Sequence, residues 1–158
     1  MPGAGKSTVG ILLAKELGLD FVDTDVLIQV QKKQTLQQIL EKHGYKQLRV
    51  IEEQAILGLA QGDRVVATGG SAVYGERAMN FLGTAATIVF IDVNLDVLRK
   101  RIHNYDSRGV ARRPEQSFED LFEERMGLYL KYADIILSGE HKTPSEIVDA
   151  IRGELASK

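Results

Sequence analysis

A glycine-rich segment near the start of the chain, Gly3–Ala4–Gly5–Lys6–Ser7–Thr8, has the residue types of a phosphate-binding loop. Glycines let the backbone curl so that its N–H groups point at phosphate oxygens, and a following helix aims its positive N-terminus at the same place. In such a loop Lys6 holds the β- and γ-phosphates, and the hydroxyl of Ser7 ligates Mg²⁺. The segment therefore predicts binding of nucleotide phosphates together with Mg²⁺.

Three further groups of residues could act on a ligand. Asp23–Thr24–Asp25 follows a short apolar run, so one carboxylate can face a metal and the other a substrate. The alternative is that the aspartates serve only as turn or N-cap residues. Arg49 lies among acids on a predicted helix, where a surface ion pair is the alternative to ligand binding. Thr68–Gly69–Gly70 follows a second apolar run and forms either a tight turn or a close backbone contact to a ligand.

The elements that position these residues alternate between helix and strand along the chain. Periodicity predicts helices over 7–17, 26–43 (as one or two), 45–59, 76–82, 95–103, 117–132 and 145–156, and strands over 19–23, 64–68, 86–91 and 135–137. The run 86–91 is continuously apolar, as buried parallel strands are. This order predicts an α/β fold with a mostly parallel sheet.

The phosphate loop also predicts an irregularity in that sheet. The full pattern, G-x-x-x-x-G-K-[ST], places its first glycine one residue before Met1. Such a loop follows a strand, which in these folds is central in the sheet, and no strand precedes the loop here. We expect the natural product to begin upstream, with Met1 an internal methionine; the alternative is a truncated, inactive chain.

Composition narrows the class of protein. The 158 residues suit one domain, and a net charge of −2 without a basic arm argues against a nucleic-acid-binding role. No apolar run approaches the roughly 20 residues that span a membrane, and no signal peptide opens the chain. Cysteine is absent, which excludes disulfides and suits a cytoplasmic location.

The motifs together resemble those of shikimate kinases along essentially the whole chain. In order they are GAGKST, DTD, G-x-x-x-L-R-x-x-E, TGG after an apolar strand, an arginine-bearing loop and E-R-x-x-L-Y. The resemblance implies one P-loop NTPase-type three-layer kinase domain over residues 1–158, with a lid loop at about 104–116 and its central first strand missing. It also implies a monomer that uses ATP and Mg²⁺ to phosphorylate shikimate.

The resemblance assigns the acceptor and metal roles residue by residue. Asp23 helps to organise the Mg²⁺ shell through water, and Asp25 orients the attacking hydroxyl and is a candidate base. Arg49 and Arg125 clamp the substrate carboxylate, because the planar guanidinium matches two carboxylate oxygens. Gly69–Gly70 offers backbone contact to the substrate.

The resemblance also assigns the nucleotide side of the site. Arg101 lies against one face of the adenine and Pro144 against the other. Arg108 is the lid arginine that closes over the phosphates, with Arg112 and Arg113 as rivals for that role. Gly3, Ala4, Gly5, Lys6, Ser7 and Thr8 form the phosphate loop.

The chain departs from the family pattern at four places. Ser71 replaces the third glycine of G-G-G, Gly44–Tyr45 replaces a Gly-Glu pair, Arg108–Gly109 replaces the lid Arg-Pro, and Gly127 replaces a proline. These changes affect substrate contact and closure, so three alternatives stay open. They are a related kinase for another hydroxy acid, sugar acid or nucleotide, a non-catalytic nucleotide-binding homologue, and an inactive fragment.

Overall fold

Helices and strands alternate throughout the computed structural model, which describes residues 1–60, 62–102 and 109–157. In chain order the elements are α1 (Lys6–Leu17), β1 (Asp20–Asp23), α2 (Thr24–Lys32), α3 (Leu36–Leu57), β2 (Arg64–Ala67), a 3₁₀ turn (Ala72–Tyr74), α4 (Glu76–Ala85), β3 (Val89–Asp92), α5 (Leu95–Arg101), α6 (Phe118–Tyr132), β4 (Ile135–Ser138) and α7 (Pro144–Ala156). The predicted α/β class is confirmed.

The four strands of the described residues form two separate parallel pairs. β1 pairs with β2, with Asp20 opposite Arg64, and β3 pairs with β4, with Val89 opposite Ile135. No described strand bridges β2 and β3. The sheet is therefore interrupted, in agreement with a parallel sheet that lacks its central strand.

Several helix boundaries differ from those that the periodicity predicted, and two of the differences have a clear local reason. α2 begins at Thr24 rather than at 26, because the Asp23 side chain accepts hydrogen bonds from the N–H groups of Asp25 (2.9 Å) and Val26 (3.2 Å). The helices predicted on either side of Gly44 run on as α3 with a kink at that residue, whose φ of 78° is costly for any residue with a Cβ.

Apolar packing holds these elements in two main cores. α1 packs against β1, β2 and α7, with Val9, Leu13, Ile91, Leu98 and Ile151 buried between them and their neighbours. α2 and α3 enclose a second core of Ile28, Ile39, Leu48, Ile51, Ala55 and Ala111. None of the described helices is long and apolar enough to cross a membrane.

Candidate active site

One cavity of about 420 Å³ gathers most of the predicted site residues. The predicted residues that line it are Gly3, Gly5, Lys6, Ser7, Thr8, Asp25, Gly70, Arg101 and Arg125. The remaining described ones, Ala4, Asp23, Arg49, Gly69 and Pro144, are not among its lining residues. Arg108 lies outside the described residues. The cavity thus joins the phosphate loop to the ends of β1 and β2 and to α6.

The phosphate loop enters α1 through Gly5, which is the N-cap and has a φ of 88°. A side chain at this φ would be strained, so the sharp turn requires glycine. Lys6 follows at once, and its Nζ donates a hydrogen bond to the Met1 carbonyl oxygen at 2.9 Å. Burial lowers the pKa of Lys6, and the nearby Asp25 carboxylate opposes that shift. The lysine is thus a desolvated cation at the head of a helix.

Buried Thr24 ties the end of β1 to the end of β2. Its side chain is fully buried, and its hydroxyl oxygen accepts a hydrogen bond from the Gly69 N–H at 2.9 Å. The Asp23 carboxylate on one side of it caps α2, so the N-cap reading of that aspartate is correct for one of its oxygens. This arrangement holds Asp25, on the first turn of α2, at the cavity wall.

Two carboxylates, those of Asp25 and Glu52, meet at Gly69. A Cβ on Gly69 would lie 2.6 Å from Asp25 Oδ1 and closer still to Glu52 Oε1, so any larger residue would displace them. Burial, reinforced by the charge of Asp25, raises the pKa of Glu52 to about 8. The Ser71 hydroxyl donates a hydrogen bond to Glu52 Oε2. Ser71 and Glu52 are both buried, and both line the cavity.

Two arginines flank the carboxylates on the side of α3 and α6. Arg125 is 1% exposed and lines the cavity, while the Arg49 side chain is 20% exposed and lies over the Tyr74 ring at 3.4 Å. Both donate to the Ala111 carbonyl oxygen, Arg49 at 3.2 Å and Arg125 at 3.0 Å. The Nε atoms of both are buried without a hydrogen-bond partner among the described residues. Their donor capacity thus exceeds what the protein uses.

The pKa values of the two arginines are shifted in opposite directions, although burial acts on both in the same way. Burial lowers the pKa of Arg49 despite the neighbouring Tyr74. At Arg125 burial acts in the same direction, but Tyr129, Tyr74 and Glu52 hold its pKa above the usual value. Arg125 is thus a firmly charged group inside the cavity wall.

The two rivals for the lid role engage other parts of the protein. Arg112 donates to the carbonyl oxygens of Pro114 (3.3 Å) and Gln116 (2.7 Å). Arg113 forms an ion pair with Glu124 at 2.7 Å. Neither is among the residues that line the cavity.

Sequence reasoning missed three contributors to this site. Glu52 was not assigned to the site, although its place three residues after Arg49 on a helix puts it on the same face. Ser71 was noted only as a replaced glycine. Tyr129 was not assigned to the site, yet its hydroxyl donates to the Gly70 carbonyl oxygen at 2.7 Å, and burial raises its pKa to about 12. No sequence signal identifies that contact.

On the nucleotide side of the site, the structure describes two of the predicted residues, Arg101 and Pro144. Arg101, the last residue of α5, lines the cavity beside Gly3. Pro144 begins α7, where Thr143 caps the helix. The described residues contain no cluster of three or more His, Cys, Asp or Glu side chains that could hold a metal.

Comparison with known proteins decides the family. The family model described as shikimate kinase matches residues 2–156. The chain belongs to the shikimate kinase family. Members of this family are ATP-dependent kinases, so the predicted enzyme class and the use of a nucleotide co-substrate and a small-molecule substrate are confirmed.

Individual shikimate kinases match the chain over nearly its whole length. The one from Aquifex aeolicus (strain VF5) is 38% identical over 149 residues, which cover 94% of this chain and 88% of the relative. The one from Sulfurihydrogenibium sp. (strain YO3AOP1) is 35% identical over 150 residues, with 94% and 90% covered.

Solved shikimate kinase structures share the fold. The enzyme from Acinetobacter baumannii in complex with shikimate superimposes with a TM-score of 0.89 at 28% identity, covering 98% of this chain and 88% of the other. The Aquifex aeolicus enzyme gives a TM-score of 0.85 at 36% identity, with 99% and 92% covered. The P-loop kinase fold predicted from the motifs is confirmed.

Proposed function

We propose that this chain transfers the γ-phosphate of ATP to a hydroxyl of shikimate, giving ADP and 3-phosphoshikimate. The observation that carries the proposal is that one cavity is lined by a phosphate loop, by two acidic side chains (half-buried Asp25 and buried Glu52) and by the buried Arg125. Phosphoryl transfer requires little more than this, because positioning and charge neutralisation supply most of the catalysis.

The phosphate end of the cavity would hold the triphosphate. Gly5 and the first N–H groups of α1 direct donors into it, and Lys6 adds a cation. The Lys6 ammonium already gives one proton to the Met1 carbonyl oxygen. An ammonium has three donors, so it retains two for the β- and γ-phosphates.

Asp25 would orient the acceptor hydroxyl. Its carboxylate lies at the cavity wall beside Gly69. Among the residues that line the cavity, Glu52 has the other carboxylate. Burial raises the pKa of Glu52 to about 8, so this carboxyl resists ionisation near neutral pH and is a poor base there. Asp25 is accordingly our candidate for accepting the hydroxyl proton.

Arg125 and Arg49 would bind the substrate carboxylate. Arg125 lines the cavity, and both arginines have a buried Nε without a partner among the described residues. The Ala111 carbonyl oxygen accepts hydrogen bonds from both arginines, so it marks a position that one acceptor can share between them. In our proposal the carboxylate takes over these donors from Ala111. The Gly69 N–H is already given to Thr24, so Gly70 would make the backbone contact.

The nucleotide would extend from the loop toward Arg101, with Pro144 on the other face of the adenine and Arg108 closing over the phosphates. Arg101 supports this because it lines the same cavity as the loop. The engagement of Arg112 and Arg113 with Pro114, Gln116 and Glu124 favours Arg108 over both of them for the lid role.

Ser7 and Asp23 would hold Mg²⁺, with Asp23 acting through water. A hydroxyl and a carboxylate are hard oxygen donors that suit Mg²⁺, which keeps several waters and takes its other ligands from substrate phosphates. That need for outside ligands fits the lack of a three-residue acidic or histidine cluster in the described part of the chain. When bound, the ion neutralises charge on the phosphates.

A second candidate function is a kinase for another small hydroxy acid. The observation that favours it is Ser71, whose hydroxyl lies in the cavity wall and bonds Glu52, at a position where the family pattern has glycine. A non-catalytic nucleotide-binding role is disfavoured by Asp25, which simple nucleotide binding does not require.

Coupled ADP release with ATP and Mg²⁺ tests the proposal. We expect release to depend on shikimate, and 3-phosphoshikimate to accumulate in equal amount. Release that depends on a different hydroxy acid would support the second candidate. Tight ATP binding with no transfer to any acid would contradict both.

A further inference from the structure

The Arg49 guanidinium is held by its flat face. Its Cζ atom lies 3.4 Å from the centre of the Tyr74 ring and 5.1 Å from the centre of the Tyr45 ring. A guanidinium over an aromatic ring is attracted to the negative face of that ring, while its five N–H donors stay in its own plane. Tyr74 thus fixes the position of Arg49 without using a donor that a carboxylate would need.

The Tyr74 ring also contacts the second arginine of the site. The Arg125 Cζ atom lies 5.5 Å from the centre of the same ring. Tyr74 is the last residue of the 3₁₀ turn, which packs against both α3 and α6, the helices that carry the two arginines. Two like charges repel each other, and a ring that attracts both offsets part of that repulsion. The ring is therefore placed to hold the two guanidinium groups side by side.

A carboxylate close to Arg49, that of Glu124, is occupied by other donors. Its Oε1 atom accepts a hydrogen bond from the Tyr74 hydroxyl. Its Oε2 atom accepts from Arg113 at 2.7 Å and from Gln116 at 2.8 Å. The distance from Oε1 to the Arg49 Nη2 atom is 4.0 Å, which is beyond hydrogen-bond length. Glu124 therefore leaves the donors of Arg49 to another acceptor.

The protonation states of Tyr74 and Glu124 favour the bond between them. Burial raises the pKa of the Tyr74 hydroxyl, and the bond to Glu124 adds to that shift. Burial opposes the ionisation of Glu124, but hydrogen bonds from Tyr74 and Gln116 outweigh it and lower the pKa of this carboxyl. The hydroxyl thus donates to an anion, which gives a stronger bond than one between neutral groups.

These contacts indicate a role for Tyr74 that rests on the proposed binding of the substrate carboxylate by Arg49. We propose that Tyr74 is a positioning residue for that carboxylate: its ring fixes the Arg49 guanidinium, and its hydroxyl keeps Glu124 away from Arg49. Tyr74 is not among the residues that line the cavity, so it acts through the arginine. The alternative is that the ring only fills space between α3 and α6.

Equilibrium binding of shikimate, measured by calorimetry, tests the role of the ring. Tyr74→Leu removes the ring and should weaken binding about tenfold, while Tyr74→Phe keeps the ring and should weaken binding about threefold. ATP binding should be unchanged in both variants, which shows that the fold is retained. Tyr132→Leu is the matched control, because the Tyr132 ring contacts Lys131 at 4.8 Å and does not line the active-site cavity. It should bind shikimate as the parent chain does.

A double variant tests the role of the hydroxyl. In Tyr74→Phe the Glu124 carboxylate loses one donor and can turn toward Arg49, where it competes with the substrate carboxylate. Adding Glu124→Gln removes that charge, so shikimate binding should return to within about twofold of the parent value. A ring that only fills space predicts a further loss instead, because glutamine also breaks the ion pair with Arg113. In kinetics the acid KM should follow these changes, with kcat near the parent value.

The outcomes separate this role from the proposed function. No binding of shikimate by the parent chain would contradict the proposed function, and the role of Tyr74 would fall with it. Binding by the parent chain that is equally strong in Tyr74→Leu would overturn the role of Tyr74 alone. So would a loss of kcat at unchanged acid KM, or a lack of recovery in the double variant. If Tyr74→Leu fails to bind ATP, the comparison of Tyr74→Phe with the double variant decides.

Discussion

Arg49 and Arg125 donate hydrogen bonds to one acceptor, the carbonyl oxygen of Ala111, at 3.2 and 3.0 Å. The two arginines come from different helices, α3 and α6, and Ala111 comes from the segment before α6. Two like charges that share one neutral oxygen are poised for an anionic acceptor, because charge-assisted hydrogen bonds are about twice as strong as neutral ones.

Replacing Arg49 by alanine should raise the KM for the acid substrate at least about tenfold, since one bidentate donor is lost. The KM for ATP should change little, because the contacts of Arg49 are with Ala111, Tyr74 and Glu124 rather than with the phosphate loop. Steady-state kinetics with each substrate varied separate the two values. Arg152→Ala is the matched control, because Arg152 is an exposed arginine that pairs with Glu16, at 3.7 Å, on the surface. An unchanged acid KM in Arg49→Ala would show that the carboxylate clamp is wrongly assigned.

Replacing Lys6 by alanine or Asp25 by asparagine should lower kcat by at least about 100-fold, because both act on charge that develops in the transition state. The variants differ in ATP affinity: Lys6→Ala should weaken it, and Asp25→Asn should leave it nearly intact. Coupled ADP release and nucleotide titration measure the two effects. Lys15→Ala, an exposed lysine of the same helix, should retain full activity. Activity near that of the parent chain in Asp25→Asn would remove Asp25 from the reaction.

The buried Glu52 carboxyl should make the folded chain less stable as pH rises. Its pKa is about 8 in the folded state against 4.5 as the reference value, so between these values the folded chain binds more protons than the unfolded chain. The free energy of unfolding should then fall by up to about 1.4 kcal/mol per pH unit across that window. Urea unfolding from pH 5 to pH 8 measures this slope.

Glu52→Gln should flatten that pH dependence, because glutamine does not titrate. The exposed Glu123→Gln, on α6, is the control and should leave the slope as it is in the parent chain. A slope that is the same in Glu52→Gln and in the parent would mean that other groups cause the pH dependence.

Replacing Ser71 by alanine should destabilise the chain by about 1–3 kcal/mol, because Glu52 loses a hydrogen-bond donor inside the protein. Above pH 8, where the Glu52 carboxyl is ionised, the same change should cost less in a Glu52→Gln background, since a neutral partner depends on the bond less. Urea unfolding of the two single variants and the double variant gives the coupling. Thr84→Ala removes an exposed hydroxyl that bonds the Phe81 carbonyl oxygen and serves as the control. Additive effects of Ser71 and Glu52 would indicate that the bond carries no energy.

Local chemistry made a large part of the fold and site predictable. The GKST segment could be assigned because it acts through its own backbone and the helix that it begins, and Lys6, Ser7 and Thr8 do line one cavity. The predicted strand boundaries agree with the observed ones to within about three residues. A continuous apolar run such as 86–91, which overlaps β3, is typical of a buried parallel strand. The order of these motifs also indicated the family, which the match over residues 2–156 confirms.

Long-range contacts could not be predicted from the sequence, because they depend on which side chains come into contact after the helices pack. Arg49 lies 62 positions from Ala111 in the sequence and Arg125 lies 14 positions from it, yet both donate to its carbonyl oxygen. The hydrogen bond from Tyr129 to Gly70 joins residues 59 positions apart. Burial raises the pKa of Glu52, and burial is a property of the packed chain. The sequence determined the residue types and the elements that carry them. Tertiary structure decided which groups share the cavity.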